Sequence, residues 1–180
     1  MRITAGTHRG RVLHVPDLAG LRPTPSRVRE ALFNVLGDIN GWHMLDLFAG
    51  SGIMAIEALS RGAESAISIE QQHQACQLMQ DCSHQLNLNG WQIHKGALPS
   101  ALSRIENSTF DLVFADPPYH QNLAEKIPLW LDEHGIQCQQ LVIEEASRAK
   151  PVWPESWTLT RSRRYGDTTL HFLKNDHPWP

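Results

Sequence analysis

Residues Asp46–Leu59, DLFAGSGIMAIEAL, decide the fold. They carry an apolar segment, Met44–Phe48, through glycines spaced Gly50-x-Gly52-x-x-Ala55 into an apolar stretch of helical length, Ile53–Ser60. Strand, glycine turn and helix in that order open an α/β unit. The glycines let the backbone turn sharply and approach a ligand closely, and the helix N-terminus favours negative charge. Glu70 follows at the end of a second apolar segment, Ala66–Ile69, where a carboxylate can accept hydrogen bonds from both hydroxyls of a ribose. An adenosine cofactor is therefore expected, with NAD and S-adenosylmethionine both open. Asp46 favours the second, because a carboxylate at the mouth of the loop repels a pyrophosphate and attracts an ammonium or sulfonium group. Asp46 bracing the loop through backbone N–H groups is compatible with the same cofactor. The expected cradle is Asp46, Phe48, Ala49, Gly50, Ser51, Gly52 and Glu70, with Asp116 beside it. After the third strand, HKGALP leaves the adenine only backbone, the N–H of Ala97, because Gly96 has no side chain.

Outward from this unit the alternation continues. Strands are expected at Met44–Phe48, Ala66–Ile69, near Ile93, at Leu112–Ala115 and at Leu141–Ile143, with helices around Ile53–Ser60, Ala75–Leu88, Pro99–Ile105 and Leu123–Leu131. This pattern predicts an α/β fold with a mostly parallel, Rossmann-like sheet and helices on both faces. Thr158–Arg164 and Thr168–Leu173, joined through YGD, read as an antiparallel hairpin completing seven strands. Ligands in such sheets bind outside the carboxyl ends of the strands. At the other end, Arg2–Ala5 and Val12–Val15 flank GTHRG as a small hairpin, and LRPTPSRVREALFNVLG feeds a helix. Pro25 suits its first position, Thr24 its cap, Val28, Leu32, Val35 and Leu36 its apolar stripe, and Gly37 its end. Arg22, Arg27 and Arg29 lie off the stripe, free for a ligand or for water. The chain is expected to be one domain over residues 1–180, with a core over 43–180 and an extension over 1–37 that completes the site.

The second chemical signature is Phe110–Tyr119, FDLVFADPPY, an apolar strand that stops at an acid and two prolines. Pro117 and Pro118 fix their backbone angles and offer carbonyls without N–H groups, so the Asp116 carboxylate and Pro117 carbonyl form a rigid pair of acceptors. An exocyclic base amine is planar because its lone pair enters the ring. Two acceptors gripping its hydrogens aim that lone pair at an incoming methyl, and Tyr119 can stack on a flipped base. Asp116, Pro117, Pro118 and Tyr119 are the expected catalytic residues.

Composition sets the bounds. The 180 residues are 41% hydrophobic, enough for a real core. No apolar run approaches the roughly 20 residues that span a bilayer, and the start lacks a signal-peptide core, so a soluble, cytoplasmic protein is expected. Three cysteines without CxxC spacing suggest buried thiols, and ten scattered histidines suggest no metal. The formal net charge of −3 is unevenly spread. Residues 1–30 hold six arginines against two acids, residues 148–180 hold six basic residues against three acidic ones, and the middle is strongly acidic. If the ends meet, they form a positive rim for a polyanion.

RITAGTHRGRVL (Arg2–Leu13), LRPTPSRVREALFNVL (Leu21–Leu36), LDLFAGSG (Leu45–Gly52), EALSRGA (Glu57–Ala63), DPPY (Asp116–Tyr119) and YGDT (Tyr165–Thr168) together resemble the RsmD family of bacterial 16S ribosomal RNA guanine-N2 methyltransferases over nearly the whole chain. The resemblance implies a class I methyltransferase fold and S-adenosyl-L-methionine held by Asp46, Gly50, Gly52 and Glu70. It also implies a guanine amine, at position 966 of 16S rRNA, received by Asp116–Tyr119. Arg22, Thr24, Arg27, Arg29, Tyr119 and Tyr165 are the substrate candidates. The expected partner is 16S rRNA within an assembled or assembling small subunit, met by a monomer with no membrane involved. Met54-Ala55, Ala115 and Gly96 depart from the family pattern. The rival readings are another amino-methyltransferase acting on DNA adenine or cytosine or on protein glutamine, an NAD-dependent oxidoreductase that leaves DPPY without work, and a catalytically silent RNA-binding module.

Overall fold

Leu45 and Leu47 turn to one side of a central strand while Met44 and Asp46 turn to the other, and this alternation organises the molecule. The structure, a computed structural model, describes residues 1–14, 24–119 and 121–176. Among these residues the strands are β1 His43–Leu47, β2 Ser65–Glu70, β3 Trp91–Lys95, β4 Thr109–Ala115, β5 Gln137–Ala146, β6 Trp157–Tyr165 and β7 Thr168–Asn175. They form one sheet ordered β3-β2-β1-β4-β5-β7-β6. β1 to β5 run parallel, and β7 is antiparallel to both β5 and β6. The class I methyltransferase expectation is borne out in strand number and in the antiparallel end.

The helices are α1 Ser26–Leu36, α2 Ile53–Ser60, α3 His73–Leu86 and α4 Lys126–Glu133. On one face Met44, Leu112, Phe114 and Val142 pack with side chains of α1, α2 and α3. On the other, Leu45, Leu47, Val113, Ala115 and Ile143 pack with α4 and a 3-10 turn, Ser100–Ile105. That turn was expected as an α-helix. It closes through a Leu102 N–H to Pro99 carbonyl bond at 2.8 Å and is too short to propagate further. α4 starts at Lys126 rather than Leu123, since Leu123 supplies the preceding turn through its carbonyl.

α1 corrects two expectations. Pro25 precedes the helix at φ −55° and ψ 143°, and Thr24 makes no capping bond. Thr24 is buried, and its carbonyl accepts the Arg29 Nη1 donor at 2.5 Å. The apolar stripe and the Gly37 terminus stand as expected, with the Gly37 N–H closing on Phe33 at 2.9 Å. The N-terminal hairpin reduces to a single bridge, Arg2 to Val12, flanked by Ile3 N–H to Arg11 carbonyl at 3.0 Å and Leu13 N–H to Met1 carbonyl at 2.7 Å. Its expected end at Val15 lies outside the described residues. The hairpin seats on the end of α2 through Thr7 N–H to Ser60 carbonyl at 2.7 Å. Gly6, at φ +79°, is forced there, since a Cβ would lie 1.7 Å from the Ser60 oxygen.

α2 is buried almost all round, and Glu57 in its middle is fully enclosed. Its carboxylate accepts the Thr4 N–H at 2.8 Å and the Thr4 hydroxyl at 2.9 Å, and pairs with Arg29 Nε at 3.3 Å and Arg61 Nε at 3.5 Å. Such satisfaction makes an interior charge tolerable. Cys76, Cys82 and Cys138 are free and buried. Among the described residues no helix is long and apolar enough to cross a membrane.

Candidate active site

The sheet order reverses direction at β1, which has β2 on one side and β4 on the other, and the carboxyl ends there surround a cavity of about 1080 Å³. Asp46, Phe48, Ala49, Gly50, Ser51, Glu70, Asp116, Pro117, Pro118, Tyr119, Thr24 and Tyr165 all line it. The two motifs, seventy residues apart in sequence, therefore share one chamber, as the register Asp46 to Phe114 and Leu47 to Ala115 requires.

Asp46 is 1% exposed. It accepts the Ala55 N–H, while its Oδ2 has no hydrogen-bond partner among the described residues. Burial pushes its pKa up to about 8, the Ala55 N–H opposing and the Glu70 charge adding. Asp46 thus braces the loop with one oxygen, and its other, unpartnered oxygen in a residue that lines the cavity fits a cationic head such as an amino-acid ammonium. Phe48 turns the chain out of β1 at φ +57°, a left-handed conformation that costs a non-glycine residue about 1 kcal/mol or more.

Glu70 is committed to the loop on both sides. Its Oε2 accepts the Gly50 N–H and its Oε1 the Gln72 N–H, each at 2.8 Å. Each oxygen keeps a lone pair, so the ribose expectation survives with a carboxylate already fixed in place. Gly52 and Ala97 do not line the cavity. Gly52, at φ +72°, is needed for packing: a Cβ there would stand 2.5 Å from the Trp91 ring and 2.7 Å from Met79. Ala97 is exposed, and the wall at that point is Gly96 and Leu98.

At the other side of the cavity β4 ends at Ala115, paired with Ile143 of β5. Asp116 and Glu144 each stand one residue beyond that pair, both line the cavity, and Glu144 shares the sheet face of Val142. Burial raises the Asp116 carboxyl well above the usual range, and the charges of Glu144, Asp46 and Glu145 raise it further. Glu144, 3% exposed, was not among the sequence candidates. Its Oε1 accepts the Thr168 hydroxyl at 2.9 Å, and its Oε2 has no hydrogen-bond partner among the described residues. Burial raises its pKa, opposed by the Thr168 hydrogen bond and by the Thr24 hydroxyl, which lies near the carboxylate without closing a hydrogen bond on Oε2. Because the Thr168 proton goes to Glu144, the Tyr119 hydroxyl donates to Thr168 at 3.1 Å. The signal for Glu144 was present in LVIEEAS, an apolar strand ending in acid just as β1, β2 and β4 do.

The arginines divide. Arg29 is a correction: it is 3% exposed, paired with Glu57, and donates to the Thr24 and Arg2 carbonyls, so nothing of it is left for a substrate. The stripe argument failed because α1 buries a wider face than its aliphatic side chains cover. Arg27 is exposed but away from the cavity wall, and Arg22 lies outside the described residues. Tyr165 pairs with Thr168, Arg163 with Leu170 and Arg161 with Phe172, so Tyr165, Arg163 and Arg161 stand in a row on one face of β6, leading away from the cavity mouth. Thr24 and Pro25, just before α1, line the same cavity as Tyr165. Among the described residues no group of three or more His, Cys, Asp or Glu is placed to hold a metal ion.

A family model described as "Conserved hypothetical protein 95" matches residues 1–174. The chain is 35% identical over 181 residues to ribosomal RNA small subunit methyltransferase D of Haemophilus influenzae, covering 97% of this chain and 94% of that one. It is 34% identical to the protein of the same name in Escherichia coli K12, covering 98% and 90%. A solved structure of a putative methyltransferase from Escherichia coli superposes with a TM-score of 0.84 at 33% identity, covering 99% of both chains.

Proposed function

The chain belongs to the conserved hypothetical protein 95 family, that of ribosomal RNA small subunit methyltransferase D, and from that membership we propose that it methylates the exocyclic N2 amine of a guanine in small-subunit ribosomal RNA. S-adenosylmethionine would supply an electrophilic methyl group on a sulfonium centre. The observation that carries the reading is that the Asp116-Pro117-Pro118-Tyr119 corner and the Asp46–Glu70 cradle open into one cavity.

The residues divide the work by chemistry. Asp46, with its unpartnered Oδ2, receives the ammonium of the cofactor's amino-acid portion, and Glu70 receives the ribose hydroxyls through its remaining lone pairs. Phe48, Ala49, Gly50 and Ser51 form the wall between them. Asp116 and the Pro117 carbonyl hold the two amine hydrogens and so fix the direction of the nitrogen lone pair, which is where orientation lowers the barrier. Asp116 grips the amine in its ionised form, and because burial and the charges of Glu144, Asp46 and Glu145 raise its pKa, that carboxylate is a stronger base for the proton that the methylated amine sheds. Tyr119, its hydroxyl tethered to Thr168, offers a ring that is 38% exposed for stacking on a flipped base.

Residues 1–37 act as an extension completing the site, which the presence of Thr24, Pro25 and Val28 at the cavity supports. The row Tyr165, Arg163 and Arg161 carries the RNA backbone to the pocket, its same-face spacing of roughly 6.5–7 Å per pair being close to the reach between successive phosphates. The proposed substrate form is 16S rRNA in an assembled or assembling small subunit, with guanine 966 as the target, met by a monomer in the cytoplasm.

The test supplies methyl-labelled S-adenosylmethionine with small subunits, naked ribosomal RNA, DNA and protein in separate reactions, then digests the products to nucleosides. Label in N2-methylguanosine from small-subunit RNA is the expected result. Label in methyladenosine, in DNA or in glutamine overturns the substrate assignment, and no label in any reaction overturns the activity.

A further inference from the structure

Glu144 is buried beside the acceptor corner with one carboxylate oxygen held by Thr168 and the other without a hydrogen-bond partner among the described residues. An unpartnered interior carboxylate oxygen is costly, so its natural complement is a donor that arrives with the substrate. The position of that donor follows from the sheet. Glu144 and Asp116 each stand one residue beyond the Ala115–Ile143 pair, close enough for the charge of one to act on the other, and both line the cavity. A base whose amine is gripped by Asp116 and Pro117 can be turned so that the neighbouring ring atom of its Watson–Crick edge faces Glu144 across the same cavity.

We propose that Glu144 is the specificity residue of the site and selects guanine by accepting the N1–H with its free Oε2. This rests on the guanine reading above and deepens it. Guanine places three donors side by side, the N1–H and the two hydrogens of N2. Glu144, Asp116 and the Pro117 carbonyl are three acceptors in the same corner. Adenine and cytosine carry a bare ring nitrogen beside their amines, and its lone pair would face the Glu144 carboxylate with no proton between them. Thr168 holds Oε1 and thereby aims Oε2, and through Tyr119 it joins the stacking ring to the same network. Glu145 takes no part: its Oε1 turns back onto its own strand, accepting the Ala146 N–H at 2.7 Å.

The discriminating substrate is 2-aminopurine, which keeps the N2 amine but has no proton on N1. It is built into the target position of the RNA, and kcat/KM for methyl transfer is compared with the guanine RNA. A site built around a substrate N–H rejects the analogue lacking it strongly, so wild-type protein should prefer guanine by about 100-fold or more. In Glu144→Gln the amide can turn its NH2 toward the bare nitrogen, and the preference should shrink about tenfold or more. Thr168→Val, which only loosens the aim of Glu144, should shrink it less. S-adenosylmethionine affinity, measured on each variant, reports that the cofactor side is intact. A wild-type enzyme indifferent to the N1 proton overturns the proposal, as does a Glu144→Gln variant that slows both substrates equally. Wild-type protein that leaves guanine RNA unmethylated overturns the guanine reading itself, a failure distinct from the other two.

Discussion

The Arg29 Nε lies 3.3 Å from Glu57 Oε1, with the two side chains 3% and 0% exposed. This pair is the inner joint between the N-terminal extension and the α/β core, since Arg29 also holds the Thr24 and Arg2 carbonyls while Glu57 holds Thr4. Removing Glu57 leaves the dry Arg29 guanidinium without its counter-charge and strips Arg61 and Thr4 of their shared acceptor. Glu57→Ala should therefore cost about 3–5 kcal/mol, and Arg29→Met combined with Glu57→Leu, which still strands Arg61 and the Thr4 N–H, should recover only part of that loss. Thermal unfolding of the three proteins checks this, and a Glu57→Ala loss below about 1 kcal/mol contradicts the role.

Asp46 makes cofactor binding a proton-releasing event. With its pKa pushed up to about 8, the free carboxyl keeps its proton at pH 7, and an arriving ammonium favours the ionised form. Affinity for S-adenosylmethionine should rise with pH through neutrality. Calorimetry in buffers of different ionisation enthalpy should find a proton released, and Asp46→Asn should abolish the release while weakening binding. For the free protein the sign is opposite. Its folded pKa exceeds the unfolded value of 3.8, so Asp46 contributes stability below that pH and loses it as pH climbs to about 8. Equal heats in all buffers would remove this account.

Asp116 should govern the acid limb of turnover. Its raised pKa means that the acceptor form is lost as pH falls through a range well above that of an ordinary aspartate. Asp116→Ala should lower kcat by about 100-fold or more with little change in cofactor affinity. Glu144→Gln removes a negative neighbour and should move the acid limb of the pH–rate profile to lower pH. A profile flat across that range, or near-normal turnover in Asp116→Ala, would sink the assignment.

The arginine row on β6 should be visible as salt dependence. Arg161→Ala and Arg163→Ala should each weaken RNA binding across sequences and reduce the slope of log affinity against log salt by about one. Filter binding at several salt concentrations measures it. Arg164 turns to the other face, where its Nε donates to the Gly166 carbonyl, so Arg164→Ala should leave the slope unchanged.

The mostly parallel sheet, its antiparallel end and a site at the strands' carboxyl ends were legible because β1, β2 and β4 announce themselves locally: apolar runs, a glycine turn, an acid near each carboxyl end. Asp46, Glu70 and Asp116 could be chosen on the same ground. The errors arise where tertiary context assigns a role that local pattern cannot carry. Arg29 looked like a free cation because nothing in its own helix marks Glu57, twenty-eight residues away, as its partner. Gly52, chosen for its spacing, carries a packing duty that the spacing does not show, since the Trp91 ring stands where a Cβ would. Glu144 escaped notice for a different reason. It lies in β5, beyond the motifs, and becomes part of the site only when parallel pairing sets it beside Asp116.

The three buried thiols give the molecule built-in reporters of its own breathing. Cys76 sits under the cofactor edge, its sulfur 3.4 Å from the Glu70 carbonyl oxygen, while Cys138 lies within β5, its thiol pushed far toward the unreactive form by burial. A thiol reagent should therefore reach Cys76 through local opening of the α3 edge, and Cys138 only when the sheet itself comes apart. Timed modification of the two sulfurs would separate loosening around the binding cleft from global unfolding, without any label being engineered into the chain.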